Sequence, residues 1–170
     1  MNAVLDGRVV LVTGAGGGIG SAIARAVATA GGRPFLADRA PAVRDVAAEL
    51  GAGYRCLDLT ADGAADDLLA AAGNLDALVT VAGVQWRGDA AGIPEDDWQR
   101  LLDVNLTSTY RLIRAAVPHL RRSRGSIVAI SSMSADRAIA GIVPYGATKA
   151  ALTQLCAGLA VELGPAGVRV

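Results

Sequence analysis

Histidine and lysine are almost missing from this chain. Its 170 residues include one histidine, His119, and one lysine, Lys149; the other fifteen of its sixteen basic residues are arginine. A single histidine puts multi-histidine metal sites out of reach, and no metal site is expected. His119 follows Pro118 near the end of an expected helix, where it reads as a surface residue or one that complements the helix dipole. Cysteine is nearly as scarce, with two residues. Cys56 and Cys156 lack the paired C-x-x-C spacing of a zinc site and are too few for a disulfide framework, so they read as small core thiols in a reducing compartment. Sixteen basic residues balance sixteen acidic ones, with no block of five like charges. Neither nucleic acid nor an anionic membrane surface is therefore an expected partner. No apolar stretch reaches the roughly 20 residues that span a bilayer; the longest with helical character runs from Ala150 to Val161. The opening residues MNAVLDGRVVLVTG have no basic region ahead of an apolar one and no cleavage site of small residues. A cytoplasmic setting is the expectation.

Hydrophobic residues and glycine are abundant, at 52% and 21 residues. Short β-rich apolar runs alternate with longer Ala-rich amphipathic stretches. The expected strands are Arg8–Thr13, Pro34–Asp38, Tyr54–Leu57, Ala77–Ala82 and Ser126–Ser131, with Val168–Val170 beginning a sixth. The expected helices are Ile19–Ala30, Ala42–Leu50, Asp62–Ala72, one long helix over Glu95–Leu120, and Pro144–Leu163, closed by Gly164-Pro165. Near-continuous apolar strands alternating with helices predict a doubly wound parallel α/β sheet in three α/β/α layers, ending at the sixth strand. Ligands of such sheets lie at the carboxyl ends of the strands.

The turn after the first strand reads TGAGGGIG, with Gly14, Gly18 and Gly20 at the key spacing and Gly16 and Ile19 between them. Glycines there let the backbone approach a pyrophosphate, whose charge lies on the free N–H groups of the following helix. Asp38 ends the second strand, 18 residues beyond Gly20, where a carboxylate accepts from adenosine ribose hydroxyls. A 2′-phosphate beside it would be repelled by up to about 4 kcal/mol at an effective dielectric near 20. That favours NAD over NADP, with the neighbouring Arg39 as a partial offset that leaves NADP possible.

Tyr145 and Lys149 are four residues apart on an expected helix and so share one face. An ammonium beside a phenol stabilises the phenolate, and a compact ammonium bonds a ribose in a way a guanidinium fork does not. In a chain that uses arginine everywhere else, lysine at this position implies such a role. Ser132 closes the SIVAISS strand, 13 residues before Tyr145; its hydroxyl could bind a carbonyl or alkoxide oxygen in the same pocket.

The set TGAGGGIG, Asp38, Asp58-Leu59, Asn105 in DVN, Ser132 and YGATK at 145–149 resembles the short-chain dehydrogenase/reductase family over essentially the whole chain. The resemblance implies a Rossmann-type fold and NAD(P)-dependent interconversion of a secondary alcohol and a ketone. It implies a tetrad of Asn105, Ser132, Tyr145 and Lys149. Tyr145 would be the general acid/base, Ser132 would orient the reacting oxygen, Lys149 would hold the nicotinamide ribose, and Asn105 would anchor a water of a proton relay. Asp58 and Leu59 would sit at the adenine edge, Thr13 would brace the glycine turn, and Ala82 and Gly83 would line the cofactor path.

Three departures accompany the likeness. Residues 80–83 read Thr-Val-Ala-Gly where the family usually has Asn-Asn-Ala-Gly, so Val81 lacks an amide expected to tie neighbouring strands. The connection from Asp58 to the fourth strand is short. The sequence given stops at Gly-Val-Arg-Val, so one domain over residues 1–170 is expected, without the family's substrate lid and last strand. The alternative is a catalytically silent nucleotide-binding or interaction module. With the full C-terminal region a homo-oligomer is expected. Loops Val84–Gly92 and Met133–Val143 would wall a small-molecule alcohol or ketone, with Gln85 and Trp86 as candidate contacts. Asp136 and Arg137, in the loop before Tyr145, read as a solvated pair or as substrate contacts.

Overall fold

The structure is a computed structural model that describes residues 4–170. Five strands, β1 (Val9–Thr13), β2 (Arg33–Asp38), β3 (Gly53–Cys56), β4 (Ala77–Thr80) and β5 (Ser126–Ala129), form one parallel sheet in the order β3-β2-β1-β4-β5. Six helices cover it: α1 (Gly18–Thr29), α2 (Val43–Leu50), α3 (Ala64–Ala72), α4 (Glu95–Leu102), α5 (Ser108–Ser123) and α6 (Val143–Leu163). The expected sixth strand is present as a single parallel bridge of Arg169 to Ser126.

Strand residues alternate between two cores because successive side chains point to opposite faces. Val10, Val12, Leu36 and Val79 pack with Ala24 and Val27 of α1 and Val43 and Val46 of α2. Leu11, Leu78 and Ile127 pack on the other face with Leu68 of α3, Leu112 and Ile113 of α5, and Leu163 of α6. The three-layer expectation therefore holds, and both sides of the central strands are dry.

Three expectations need correction. The long helix over Glu95–Leu120 is instead α4 and α5 joined through one π turn, Asp103–Thr107. Its i→i+5 bonding accommodates an extra residue, which a 3.6-residue periodicity does not reveal. β3, an edge strand flanked only by β2, is exposed along its whole length. For that reason Cys56 is an exposed thiol, while Cys156 is half-buried on α6; neither belongs to the core.

The chain leaves β3 by α3 and re-enters the sheet at β4, on the far side of β1. Order reverses between β1 and β4, so the loops leaving their carboxyl ends separate and open a crevice there.

Candidate functional site

At that crevice lies a cleft of about 410 Å³ lined by the glycine loop, Asp38, Arg39, the segment 57–59, the segment 81–84 and Val104. Gly14 makes the cleft possible. Its φ is +64°, and a Cβ there would lie 2.8 Å from the Ala82 backbone nitrogen. Gly20 is equally constrained, because a Cβ would run into the Gly14 carbonyl. Gly18 differs: a Cβ on it would meet nothing within 4 Å. The first turn of α1 has no side-chain cap and no acidic residue. Its orphan N–H groups thus have no side-chain acceptor, and the positive end of a 12-residue helix faces the loop. An anion fits that position without displacing anything.

Asp38 shapes the loop as well as lining the cleft. One carboxylate oxygen accepts from Gly16 N at 2.9 Å and the other from Ala40 N at 2.8 Å. Gly16 therefore stands behind the cleft wall, held by Asp38. Arg39 is exposed at the rim. Asp58 Oδ1 accepts from the backbone N–H of Thr60 at 2.8 Å and from its hydroxyl at 2.7 Å. The Thr60 N–H, then its hydroxyl, then the nearby guanidinium groups of Arg39 and Arg100, hold the Asp58 carboxyl below the usual range.

Thr13 is buried away from the cleft. Its hydroxyl oxygen accepts from Val81 N at 3.1 Å and from Ala82 N at 3.3 Å. The tie between β1 and the end of β4 is thus made from the β1 side, and Val81 packs against the α1/α2 core as a half-buried residue.

Asn105 is fully buried in the π turn. Its amide donates to the Val84 carbonyl at 2.9 Å and to Thr148 Oγ1 at 3.0 Å, and its carbonyl oxygen accepts from Val84 N at 2.8 Å. Both amide protons are therefore engaged, and the side chain pins the strand exit at Val84. The Thr148 hydroxyl in turn donates to the Tyr145 carbonyl at 2.8 Å.

Lys149 is 4% exposed, and its ammonium donates to the Ile130 carbonyl at 2.8 Å. Burial pushes its pKa down. The nitrogen lies 5.9 Å from the centre of the Tyr145 ring and 3.6 Å from where a Gly83 Cβ would stand. Since Gly83 lines the cleft, the ammonium is one small residue away from it. Tyr145 is half-buried, and its hydroxyl makes no hydrogen bond among the described residues. Ser132 caps a 3-10 turn over Met133–Ala135, which packs against α6. The two expected wall loops are joined by Gly88 N donating to the Gly141 carbonyl at 3.0 Å. Met133 and Val143 are exposed apolar side chains on this side.

The Trp86 ring packs over Gly88, with a Gly88 Cβ position 2.6 Å from its Cη2; Gln85 is exposed. Asp136 and Arg137 are exposed as expected. His119 stands half-buried at the opposite end of the sheet, beside Leu75 and Asp76. Leu57, Gly17 and Val104 line the cleft beyond the residues expected there, and Val84, expected to begin a substrate-wall loop, lines it as well. Val104 precedes Asn105, and Leu57 precedes Asp58, so adjacency to a polar site residue was the available signal.

The model of the family described as short chain dehydrogenase matches residues 8–170. An L-fucose dehydrogenase of Bos taurus is 37% identical over 96% of this chain and 63% of its own length. A 3-alpha-(or 20-beta)-hydroxysteroid dehydrogenase of Mycobacterium tuberculosis is 38% identical over 100% of this chain and 68% of its own. The chain thus spans about two thirds of the length of these curated relatives. A solved short chain dehydrogenase/reductase family protein superposes with a TM-score of 0.94 at 36% identity, covering 100% of this chain and 73% of that one. With the parallel sheet, the glycine-lined crevice and these matches together, the chain belongs to the short chain dehydrogenase family.

Proposed function

We propose that the cleft binds NAD and that the chain's site interconverts a secondary alcohol and a ketone. The observation that carries this reading is the sole lysine, buried one residue behind the cleft wall with the Tyr145 ring beside it. A solvated helix-face pair would not be built this way.

A nicotinamide cofactor held by the glycine loop, Asp38 and Lys149 would supply the two-electron hydride chemistry between alcohol and ketone. The protein's part is to hold and move the proton. In oxidation the Tyr145 phenolate takes the proton of the substrate hydroxyl; in reduction the Tyr145 hydroxyl gives one to the carbonyl oxygen. Lys149 provides positive charge next to that phenolate and, through the Gly83 gap, a donor for a ribose hydroxyl. The α1 N-terminus and the glycine loop receive the pyrophosphate. Asp38 has lone pairs left for a ribose after serving Gly16 and Ala40, and its charge supports NAD over NADP. Asn105 acts as a brace, since both its amide protons are committed; a water held by this side chain could only donate to it.

The proposal extends to a cytoplasmic setting, supported by two free thiols, and to a homo-oligomer with one catalytic domain per chain. Among the described residues no helix is long and apolar enough to cross a membrane.

The test is NADH fluorescence on binding, followed by turnover on a panel of secondary alcohols. Absence of binding sinks the proposal. Binding without turnover supports the alternative, a silent nucleotide-binding module; the 50% exposure of Val128 on β5, which offers an apolar contact surface, is the observation in its favour.

A further inference from the structure

Ser132 is held by one neighbour that the tetrad does not include. The Ser134 backbone N–H donates to Ser132 Oγ at 3.2 Å, and the Ser134 hydroxyl donates to the same oxygen at 2.9 Å. Ser132 itself has extended backbone, with φ −156° and ψ 154°. Ser134 is 8% exposed, and Gly146 of α6 packs directly against its backbone. A Cβ at Gly146 would stand 2.8 Å from the Ser134 carbonyl oxygen and 3.6 Å from its Cβ.

A hydroxyl has two lone pairs and one proton. Both lone pairs of Ser132 are taken by Ser134, which leaves only the proton to offer. We propose that Ser134 is a positioning residue that makes Ser132 an obligate hydrogen-bond donor to the reacting oxygen. This rests on the alcohol/ketone reading of the site.

The polarity matters because the substrate alcohol carries a single O–H proton. If Ser132 kept a free lone pair, it could accept that proton in a hydrogen bond and compete with Tyr145 for it. With Ser134 in place, the alcohol proton has Tyr145 as its acceptor, and the Ser132 proton meets an oxygen that gains negative charge as its own proton leaves. The interaction strengthens toward the transition state, so its loss falls on kcat rather than on KM.

Two measurements on the full chain test this. In the first, Ser134→Ala is combined with Ser132→Ala in a kinetic cycle. The expected result is a roughly tenfold fall in kcat for Ser134→Ala alone, equivalent to about 1.4 kcal/mol, with KM within about twofold. In the Ser132→Ala background the same change is expected to alter kcat by less than about twofold. Equal losses in both backgrounds overturn the proposal, since a merely structural role would act regardless of Ser132. The second is neutron diffraction of the deuterium-exchanged chain without cofactor. The Ser132 deuterium should point away from Ser134, and a Ser132 deuterium directed onto Ser134 Oγ overturns the proposal whatever the kinetics. If the unmodified chain turns over no secondary alcohol or ketone, the functional reading fails separately, and the neutron map still decides the polarity.

Discussion

Lys149 stands one helical turn beyond Tyr145 on α6, with its ammonium nitrogen 5.9 Å from the centre of the phenol ring and hydrogen-bonded to the Ile130 carbonyl at 2.8 Å. The pairing joins two elements. α6 supplies both side chains, and the carbonyl beyond the last residue of β5 sets where the ammonium stops.

Lys149→Arg is expected to keep the charge and lose at least about a hundredfold in turnover. A planar fork with fixed donors cannot reproduce a point charge in a slot that is 4% exposed. Lys149→Met probes the cost of burying the charge. Burial lowers the lysine's folded pKa below its unfolded value near 10.4. Between those two values the unfolded chain binds more protons, so the native state gains stability as pH rises through that window. The stability of the unmodified chain relative to Lys149→Met should therefore increase with pH toward about 10. Urea unfolding across that range checks it, and a falling difference would contradict the burial argument.

Two glycines of one loop are expected to respond oppositely. Gly14→Ala forces an L side chain into φ +64° and presses it on the Ala82 nitrogen. The cost should be about 2–4 kcal/mol, a fall in Tm of roughly 5–15 °C for a chain of this size. Gly18→Ala places its methyl in open space on the cleft side, at the first position of α1. Its Tm should hold within a few degrees while NADH affinity falls. Calorimetry and fluorescence titration on the two variants separate folding from binding, and a stable Gly14→Ala would show that the loop can relax.

Much of this was legible in the chain itself. Apolar strands in alternation with helices specify a parallel sheet covered on both faces, and TGAGGGIG between a strand and a helix has few other physical uses. The π turn was not legible, because inserting one residue between Leu102 and Ser108 turns Asn105 inward without disturbing the flanking hydrophobic pattern. The exposure of Cys56 was not legible either. A short run such as GYRC does not state whether it has one neighbour or two, and only the strand order makes β3 an edge. The Thr13 contacts to Val81 and Ala82 depend on register across 68 and 69 residues of sequence. No local pattern carries that information.

Asp38→Asn is expected to change cofactor preference more than stability. An amide keeps one acceptor for Gly16 N or Ala40 N and loses the other, a cost of about 1 kcal/mol. It also removes the charge that would face a 2′-phosphate. The ratio of NADP to NAD affinity should rise at least tenfold, equivalent to about 1.4 kcal/mol. Equilibrium titration with both nucleotides reads the ratio directly, and an unchanged ratio would mean that Arg39 at the rim already neutralises the carboxylate.

Asn105→Asp tests whether the tetrad asparagine is chiefly a brace. Its amide nitrogen faces the Val84 carbonyl at 2.9 Å and Thr148 Oγ1 at 3.0 Å. A carboxylate oxygen in its place would oppose one acceptor outright. It could recruit the Thr148 proton only by taking it from the Tyr145 carbonyl. Charge without a partner at a fully buried position should destabilise the fold by about 3 kcal/mol or more at neutral pH. The dependence on pH has a definite sign. Burial raises the folded pKa of the introduced carboxyl above its unfolded value near 3.9. The penalty is therefore absent below about pH 4 and grows as pH rises through the folded pKa. Protonated, the group regains a donor for the Val84 carbonyl. Urea unfolding of the variant and the unmodified chain should give a difference that is small near pH 4 and large near pH 8. A difference independent of pH would mean that water reaches the π turn and that Val84 is not held by this side chain.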